Sequence, residues 1–338
     1  MINDNFPKSK ILVIQIPCYN ESETLSKTLS ELPKNLPGID RIITLIIDDG
    51  STDDTIQVAL QNKVDYVIRL QKNHGLAKAF MVGVQFALSL GADVILNTDA
   101  DNQYPSKYIS ELVKPIVENQ AEVVIGNRNP GKNRHFSVIK RFLEMFGSFV
   151  LRKLLRFDIP DAPSGFRAFS RYAALRLNVF NSYSYTLETL ILAANENINI
   201  KHIEIETNPN YRPSRLHRGN LNFIWRQTGV IIRSYVLYRP LKTFIGLSIP
   251  FGATGLFFIL RYLYFVIIGE SAGHVQSVSL GGTLLILSVL LFLLGLIGDA
   301  IRANRKTMEE ILINLRDEKR FDQGSDEFLG YQVIKNFL

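Results

Sequence analysis

Two stretches of this chain are too apolar to stay in water, and they limit the architecture more than any other feature. Residues 244–268 interrupt their apolar run only with Arg261 and small polar residues, and residues 278–298 carry no charge. A membrane-spanning helix needs about 20 mainly apolar residues, which both stretches supply. The short link at 269–277 predicts a hairpin. Arg233, Arg239 and Lys242 precede the first span, Arg302, Arg305 and Lys306 follow the second, and the link has no Lys or Arg. Positive-inside bias then puts both termini and the large N-terminal part in the cytoplasm. Arg261 can snorkel to the outer surface, and Tyr262 and Tyr264 suit an interfacial belt.

The rest of the chain is expected to fold. Of 338 residues, 46% are apolar and 21% charged, which excludes a disordered chain. The net charge of +6 comes from 38 basic and 32 acidic residues. Its excess lies near the apolar segments and suits anionic lipid rather than nucleic acid. With Cys18 as the only cysteine, a disulfide framework within the chain is excluded. No basic region precedes an apolar core at the N-terminus, so no signal peptide is expected. The five histidines show no metal-ligand spacing.

Residues 10 to about 126 alternate strand-like and helix-like patterns. Apolar, β-branched runs at 10–16 and 42–47, shorter ones at 64–70, 93–96 and 122–125, and helical spacing over 76–90 predict a mainly parallel sheet flanked by helices. Residues 135–157 mix apolar and basic residues at helical spacing. Such a helix lies on a membrane surface or packs on the sheet. Residues 222–238 have the same character. Residues 301–316 read as an amphipathic helix running on from the second span, and the last 20 residues carry little signal.

The chemistry concentrates at strand ends. Asn97-Thr98-Asp99-Ala100-Asp101-Asn102-Gln103 follows an apolar run. Asp99 and Asp101 would emerge at a strand's carboxyl end, where open α/β sheets bind ligands. Alternation points both carboxylates the same way. Hard oxygen ligands suit Mg²⁺ or Mn²⁺, with a diphosphate completing the shell. The first strand ends in Pro17-Cys18-Tyr19-Asn20-Glu21, where Pro17 is expected to stop the ladder and Asn20 either to cap a helix or to grip a base or ribose. The second ends in Asp48-Asp49-Gly50-Ser51-Thr52-Asp53, with Ser51 or Thr52 as a helix cap and the carboxylates facing base or ribose. A third turn holds Asn73-His74-Gly75. Neither G-x-G-x-x-G nor G-x-x-x-x-G-K-[ST] occurs, which argues against a dinucleotide oxidoreductase and a P-loop NTPase.

In order and spacing, these three motifs resemble the inverting family 2 glycosyltransferases with a GT-A fold. The likeness continues through Gly126-Asn127-Arg128, Ser164-Gly165-Phe166-Arg167 and Tyr185-Thr186-Leu187-Glu188. It is strongest to the polyprenyl-phosphate glycosyltransferases, a subgroup that the apolar hairpin supports independently. The resemblance implies that Pro17, Tyr19, Asn20, Glu21, Asp48, Asp49 and Asn73 hold the nucleotide. It implies that Asp99 binds the nucleotide side and assists a metal ligated by Asp101 and Gln103. Arg128 would meet phosphate charge near the reaction centre. Arg134, Arg141, and Ser164 and Arg167 of the following turn would face the lipid phosphate. Arg212 and Arg215 would form a further basic loop. A second glycine common in relatives is missing from Gly75-Leu76-Ala77-Lys78.

A lipid monophosphate acceptor has a second pKa of about 6, by analogy with phosphoamino acids, so it is largely ionised at neutral pH. A strong base is then unnecessary, and Asp161 and Glu188 are expected to orient hydroxyls of acceptor or sugar. The expected organisation is a GT-A domain over 1–215, a juxtamembrane helix at 216–243, two spans over 244–298 and a cytoplasmic amphipathic tail from 299 to 338. The expected reaction moves a hexose from UDP-glucose or GDP-mannose to undecaprenyl or dolichyl phosphate. A processive synthase would need a Q-x-x-R-W motif, and the residues before Trp225, the only tryptophan, do not supply it. A non-catalytic membrane scaffold is the other rival, and the intact acids at 99 and 101 speak against it. Gly252, Gly255, Gly281 and Gly282 offer a small-residue route to a homo-oligomer.

Overall fold

The structure, a computed structural model, describes residues 9–129, 161–179, 185–209, 229, 233, 236–269, 274–322 and 324–335. The expected interfacial helix at 135–157, most of the juxtamembrane helix, and Arg134, Arg141, Arg212 and Arg215 lie outside the described residues.

Among the described residues, nine strands form one sheet: β1 (Ile11–Cys18), β2 (Arg41–Asp48), β3 (Tyr66–Arg69), β4 (Val94–Asn97), β5 (Val123–Asn127), β6 (Arg167–Ser170), β7 (Ile200–Glu204), β8 (Glu327–Phe328) and β9 (Tyr331–Lys335). Their order is β7-β5-β6-β4-β1-β2-β3-β9-β8. β3, β2, β1 and β4 pair in parallel, β6 runs antiparallel to β4 and β5, and β5 pairs in parallel with β7. Burial on both faces explains why β1 and β2 are nearly continuous Ile, Leu and Val. Leu12, Ile14 and Ile16 join a core with Leu25 of α1 (Leu25–Ser30) and with Ile109, Leu112, Val113 and Ile116 of α4 (Ile109–Val117). On the other face, α3 (Leu76–Ser89) comes close at Gly83, where a Cβ would lie 2.7 Å from Ile47 Cδ1 and 2.5 Å from Gln15 Oε1. A short helix α2 (Thr55–Gln61) links β2 to β3, and another, α5 (Arg171–Arg176), follows β6.

Pro17 does not stop the ladder. β1 continues to Cys18, with Pro17 in register with Ile47. Gln15 O accepts from Thr98 N on the β4 side, and Cys18 O accepts from Asp49 N on the β2 side. Alternation therefore turns Pro17's missing N–H toward β4, whose pairing with β1 has already ended at Gln15. The expected caps also shift. Asn20 has φ +55 and α1 starts only at Leu25, while Asp54, not Ser51 or Thr52, precedes α2.

The last residues are not a free amphipathic tail. β9 pairs antiparallel with β3, from Tyr66↔Lys335 to Arg69↔Gln332. Phe321 and Phe328 pack edge-on against Phe86, at 4.7 and 5.1 Å between centroids, and Phe321 N donates to Ser89 O. This covers the edge that β3 would otherwise expose. The chain divides into two compact units, Met1–Val230 with Leu312–Leu338, and Ile231–Ile311.

Two helices, α7 (Pro240–Ile267) and α8 (Val275–Glu318), are each long and apolar enough to cross a membrane. α8 fuses the expected second span and the following amphipathic segment into one 44-residue helix. The glycines expected to serve an oligomer are largely used within the hairpin. A Cβ on Gly255 would lie 2.8 Å from Gly281 O, and one on Gly281 would lie 2.8 Å from Gly255 O. Gly252 abuts Ser288, whose hydroxyl donates to Ser248 O. Close backbone approach through small residues is how apolar helices associate in lipid. Of the four, only Gly282 meets nothing within 4 Å.

Candidate functional site

The parallel strands bring their carboxyl ends to one edge, so the three expected motifs meet. Two loops there are tied together. Asn20 N donates to Ser51 Oγ (2.9 Å), and Asn20 Oδ1 accepts from Thr52 N (2.8 Å). Glu21 N donates to Thr55 Oγ1, while Asp53 accepts from Ser22 N and from the Thr55 backbone and hydroxyl. Asn20 is thus a clamp between loops. Tyr19 is exposed beside it, at 40%.

Asp48 is buried and accepts from Ser51 N, and burial raises its carboxyl above the ordinary value. Asp49 receives His74 N and Gly75 N, each at 2.8 Å, one on each carboxylate oxygen. It ties the second motif to the third turn, and burial again outweighs these bonds to raise its pKa. Gly50 makes the approach possible: its φ is +75, and a Cβ there would stand 2.7 Å from the Lys72 carbonyl carbon. Asn73 is exposed at the rim of that turn.

At the end of β4, Asp99 and Asp101 keep partial solvent access. Burial, then the Asp101 charge, push the Asp99 carboxyl up to about 7, while Arg128 pulls the other way. Asp101 Oδ1 accepts from Gln103 N (3.0 Å), and Gln103 O accepts from Asn208 N. Among the described residues, no group of three or more His, Cys, Asp or Glu is placed to hold a metal. Asp99 and Asp101 remain as two carboxylates close enough for the Asp101 charge to act on Asp99. That donor set fits a hard divalent cation whose remaining ligands come from substrate oxygens. Cys18 lies buried in the same field, its thiol raised by burial and by Glu21, Asp48, Asp53 and Asp99.

Arg128, at the end of β5, is buried against Asp161. Its backbone N, Nε and Nη2 donate to that carboxylate at 2.9, 2.8 and 2.8 Å. Both side chains are nearly inaccessible. Asp161 is therefore occupied in holding Arg128. Arg167 and Ser164 are fully enclosed. Arg167 donates to Ser164 O, Thr186 O, Thr189 Oγ1 and Ala162 O, and Ser164 Oγ donates to Gly126 O. Burial pulls the Arg167 guanidinium down to about 10. These two residues build the turn rather than present charge to a lipid phosphate. Glu188, in the first turn of α6 (Tyr185–Asn195), keeps partial exposure.

Sequence reasoning gave no role to a buried polar cluster behind Asp99. Gln15 Nε2 donates to Asn97 Oδ1 (3.0 Å), and Asn97 Nδ2 donates to Gly165 O and Tyr185 Oη, each at 2.9 Å. Tyr104 Oη accepts from Gly165 N. The available signal was Gln15, a polar residue inside an otherwise apolar strand.

The fold is shared with glucosyl-3-phosphoglycerate synthase from Mycobacterium tuberculosis, solved with Mn²⁺, UDP and glucosyl-3-phosphoglycerate. The TM-score is 0.52 at 18% identity, over 68% of this chain and 80% of that one. The molecule is thus a GT-A fold carrying an acid pair at its β4 end. Residues 13–177 match the model of glycosyl transferase family 2, so the chain carries a domain of that family. It is 29% identical over 258 residues to the UDP-N-acetylglucosamine–dolichyl-phosphate N-acetylglucosaminyltransferase of Methanococcus voltae, covering 70% of this chain and 97% of that protein. It is also 29% identical over 184 residues to the undecaprenyl-phosphate mannosyltransferase of Micrococcus luteus, covering 52% and 73%.

Proposed function

We propose that the protein is a membrane-anchored, inverting glycosyltransferase that moves one sugar from a nucleoside diphosphate sugar to a polyprenyl phosphate. The observation that carries this reading is the convergence of Asp49, Asp99, Asp101 and Arg128 at one sheet edge, in a chain that also has two helices able to cross a bilayer. The lipid acceptor rests on the likeness to the two polyprenyl-phosphate transferases. Hexose donors such as UDP-glucose and GDP-mannose and the N-acetylhexosamine donor UDP-N-acetylglucosamine all suit the site's chemistry. The large N-terminal unit works at the cytoplasmic face, by the distribution of Lys and Arg.

Tyr19, Glu21 and the loops clamped by Asn20 and Asp53 hold base and ribose. Asp99 and Asp101, with Gln103 beside them, hold Mg²⁺ or Mn²⁺ together with the donor diphosphate. When bound there, the ion supplies Lewis-acid stabilisation of the departing diphosphate. Arg128, fixed by Asp161, adds a positive charge close to Asp99. An oxygen of the acceptor phosphate attacks the anomeric carbon on the face opposite the leaving group. The bond from that carbon to the diphosphate oxygen breaks, and its electron pair leaves with the nucleoside diphosphate. The ionised acceptor needs no proton removed. Glu188, partly exposed on α6, orients sugar or acceptor hydroxyls.

Acceptor choice tests the reading. Labelled donors are offered with undecaprenyl or dolichyl phosphate, with 3-phosphoglycerate, or with water alone. Label should enter only the lipid phosphate. Transfer to the soluble acceptor, or hydrolysis alone, would move the reaction to another branch of the family.

A further inference from the structure

The backbone of Gly165 is gripped by buried polar side chains at both its N–H and its carbonyl. Its N–H donates to Tyr104 Oη at 3.1 Å. Its carbonyl accepts from Asn97 Nδ2 at 2.9 Å and from the Tyr185 hydroxyl at 3.2 Å. Asn97 also donates to Tyr185 Oη and is itself held by Gln15. The Tyr185 ring lies flat on Phe80, with centroids 3.8 Å apart and planes 6° apart, and the Tyr104 ring stacks on Phe166. Gln15, Asn97 and Tyr185 are wholly inaccessible, and Tyr104 nearly so.

The bare Cα of Gly165 faces the carboxylate of Asp99. A Cβ there would stand 3.2 and 3.3 Å from the two Asp99 carboxylate oxygens and 3.1 Å from the Tyr185 hydroxyl. Burying polar groups in an apolar layer costs free energy that well-packed apolar side chains would not. Here three such side chains, with Gln15 holding one of them, converge on the backbone of Gly165, and that residue is the surface on which Asp99 rests. We propose that Tyr185 is a positioning residue for Asp99. Through the Gly165 carbonyl it fixes the residue that sets the carboxylate's place and orientation toward cation and diphosphate. The inference rests on the reading of Asp99 as part of a divalent-cation site.

Tyr185→Phe tests it, because phenylalanine keeps the stack on Phe80 and removes only the hydroxyl. Full-length protein in detergent is titrated with Mn²⁺ in the presence of UDP, by electron paramagnetic resonance of free Mn²⁺. Melting without metal and steady-state transfer are followed on the same samples. Groups behind a metal ligand typically change metal affinity by about 10- to 100-fold. Tyr185→Phe should weaken Mn²⁺ binding by about ten-fold at the lower end of that range. It should lower kcat with the KM for lipid phosphate unchanged, and excess Mn²⁺ should partly restore turnover. Gly165→Ala provides the second variant. Gly165 lies outside the left-handed region, so alanine's penalty there is contact with Asp99 and Tyr185. It should show the same weakened Mn²⁺ binding. Wild-type Mn²⁺ affinity in Tyr185→Phe would overturn the inference, whether its melting temperature held or fell. A wild-type protein that binds no Mn²⁺ with UDP would overturn the reading of the site itself, and the inference with it.

Discussion

Removing the Asp161 carboxylate should destabilise the protein before it affects any chemical step. Asp161 accepts three hydrogen bonds from Arg128, and neither side chain has more than 6% of its surface exposed. In Asp161→Ala the guanidinium loses its counter-charge while still buried. Breaking a buried pair from one side costs about 3–5 kcal/mol. For a unit of this size each kcal/mol shifts the melting temperature by about 2–4 °C. The two ranges combine to a fall of about 6–20 °C. The assay is thermal unfolding by circular dichroism in detergent, paired with transfer activity well below the transition. Replacing both partners, as in Arg128→Met with Asp161→Leu, should recover much of the stability, because no unpaired charge remains. Activity should stay low in the double variant, since the arginine is gone. The reasoning is refuted if Asp161→Ala melts with the wild type while its kcat collapses. Asp161 would then act on the substrate, as a base or hydroxyl ligand, and not through Arg128.

Other positions give sharp expectations. Arg167→Met leaves the carbonyls of Ala162 and Ser164 without their buried donor; a loss of about 2 kcal/mol or more should appear as a lowered melting temperature, since each unpaired group costs about 1–3 kcal/mol. Gly50→Ala forces a side chain into a left-handed conformation against the Lys72–Asn73 backbone; strain of about 1–3 kcal/mol should appear with weaker UDP or GDP binding by calorimetry. Gly281→Leu places bulk against the Gly255 carbonyl and should part the hairpin, read as a lengthened distance between spin labels on α7 and α8. Deleting residues 326–338 exposes the β3 edge and should raise aggregation, measured by light scattering, with the donor site still able to bind nucleotide.

The strand ends were legible because their signals are local. An apolar run followed by Asp99-Ala100-Asp101, or by Asp48-Asp49-Gly50, marks a buried strand and its exit within a dozen residues. The two long apolar helices were legible for the same reason. Partnership across the chain was not. The sequence shows Asp161 and Arg128 as two charged residues 33 positions apart, and only the fold makes them one buried pair. Arg167 looks like a phosphate ligand in sequence and proves to be the brace of its own turn. The five-residue strand Tyr331–Lys335 is too short to announce itself. It exists because β3 offers an edge and Phe321 and Phe328 find Phe86. Pro17 argued for the end of a ladder, yet β4 had already turned away on the side where its missing N–H points.

The most direct measurement follows label from a nucleotide sugar into the lipid extract, with wild type and Asp101→Ala in the same nanodiscs, with Mn²⁺ or with EDTA. The account predicts a single acid-labile polyprenyl-phosphate sugar from the wild type with Mn²⁺, and none with EDTA or in the variant. A lipid product that persists in EDTA and in Asp101→Ala would contradict the placing of the chemistry at the β4 acids. The absence of any lipid product from an active, donor-consuming enzyme would contradict the acceptor.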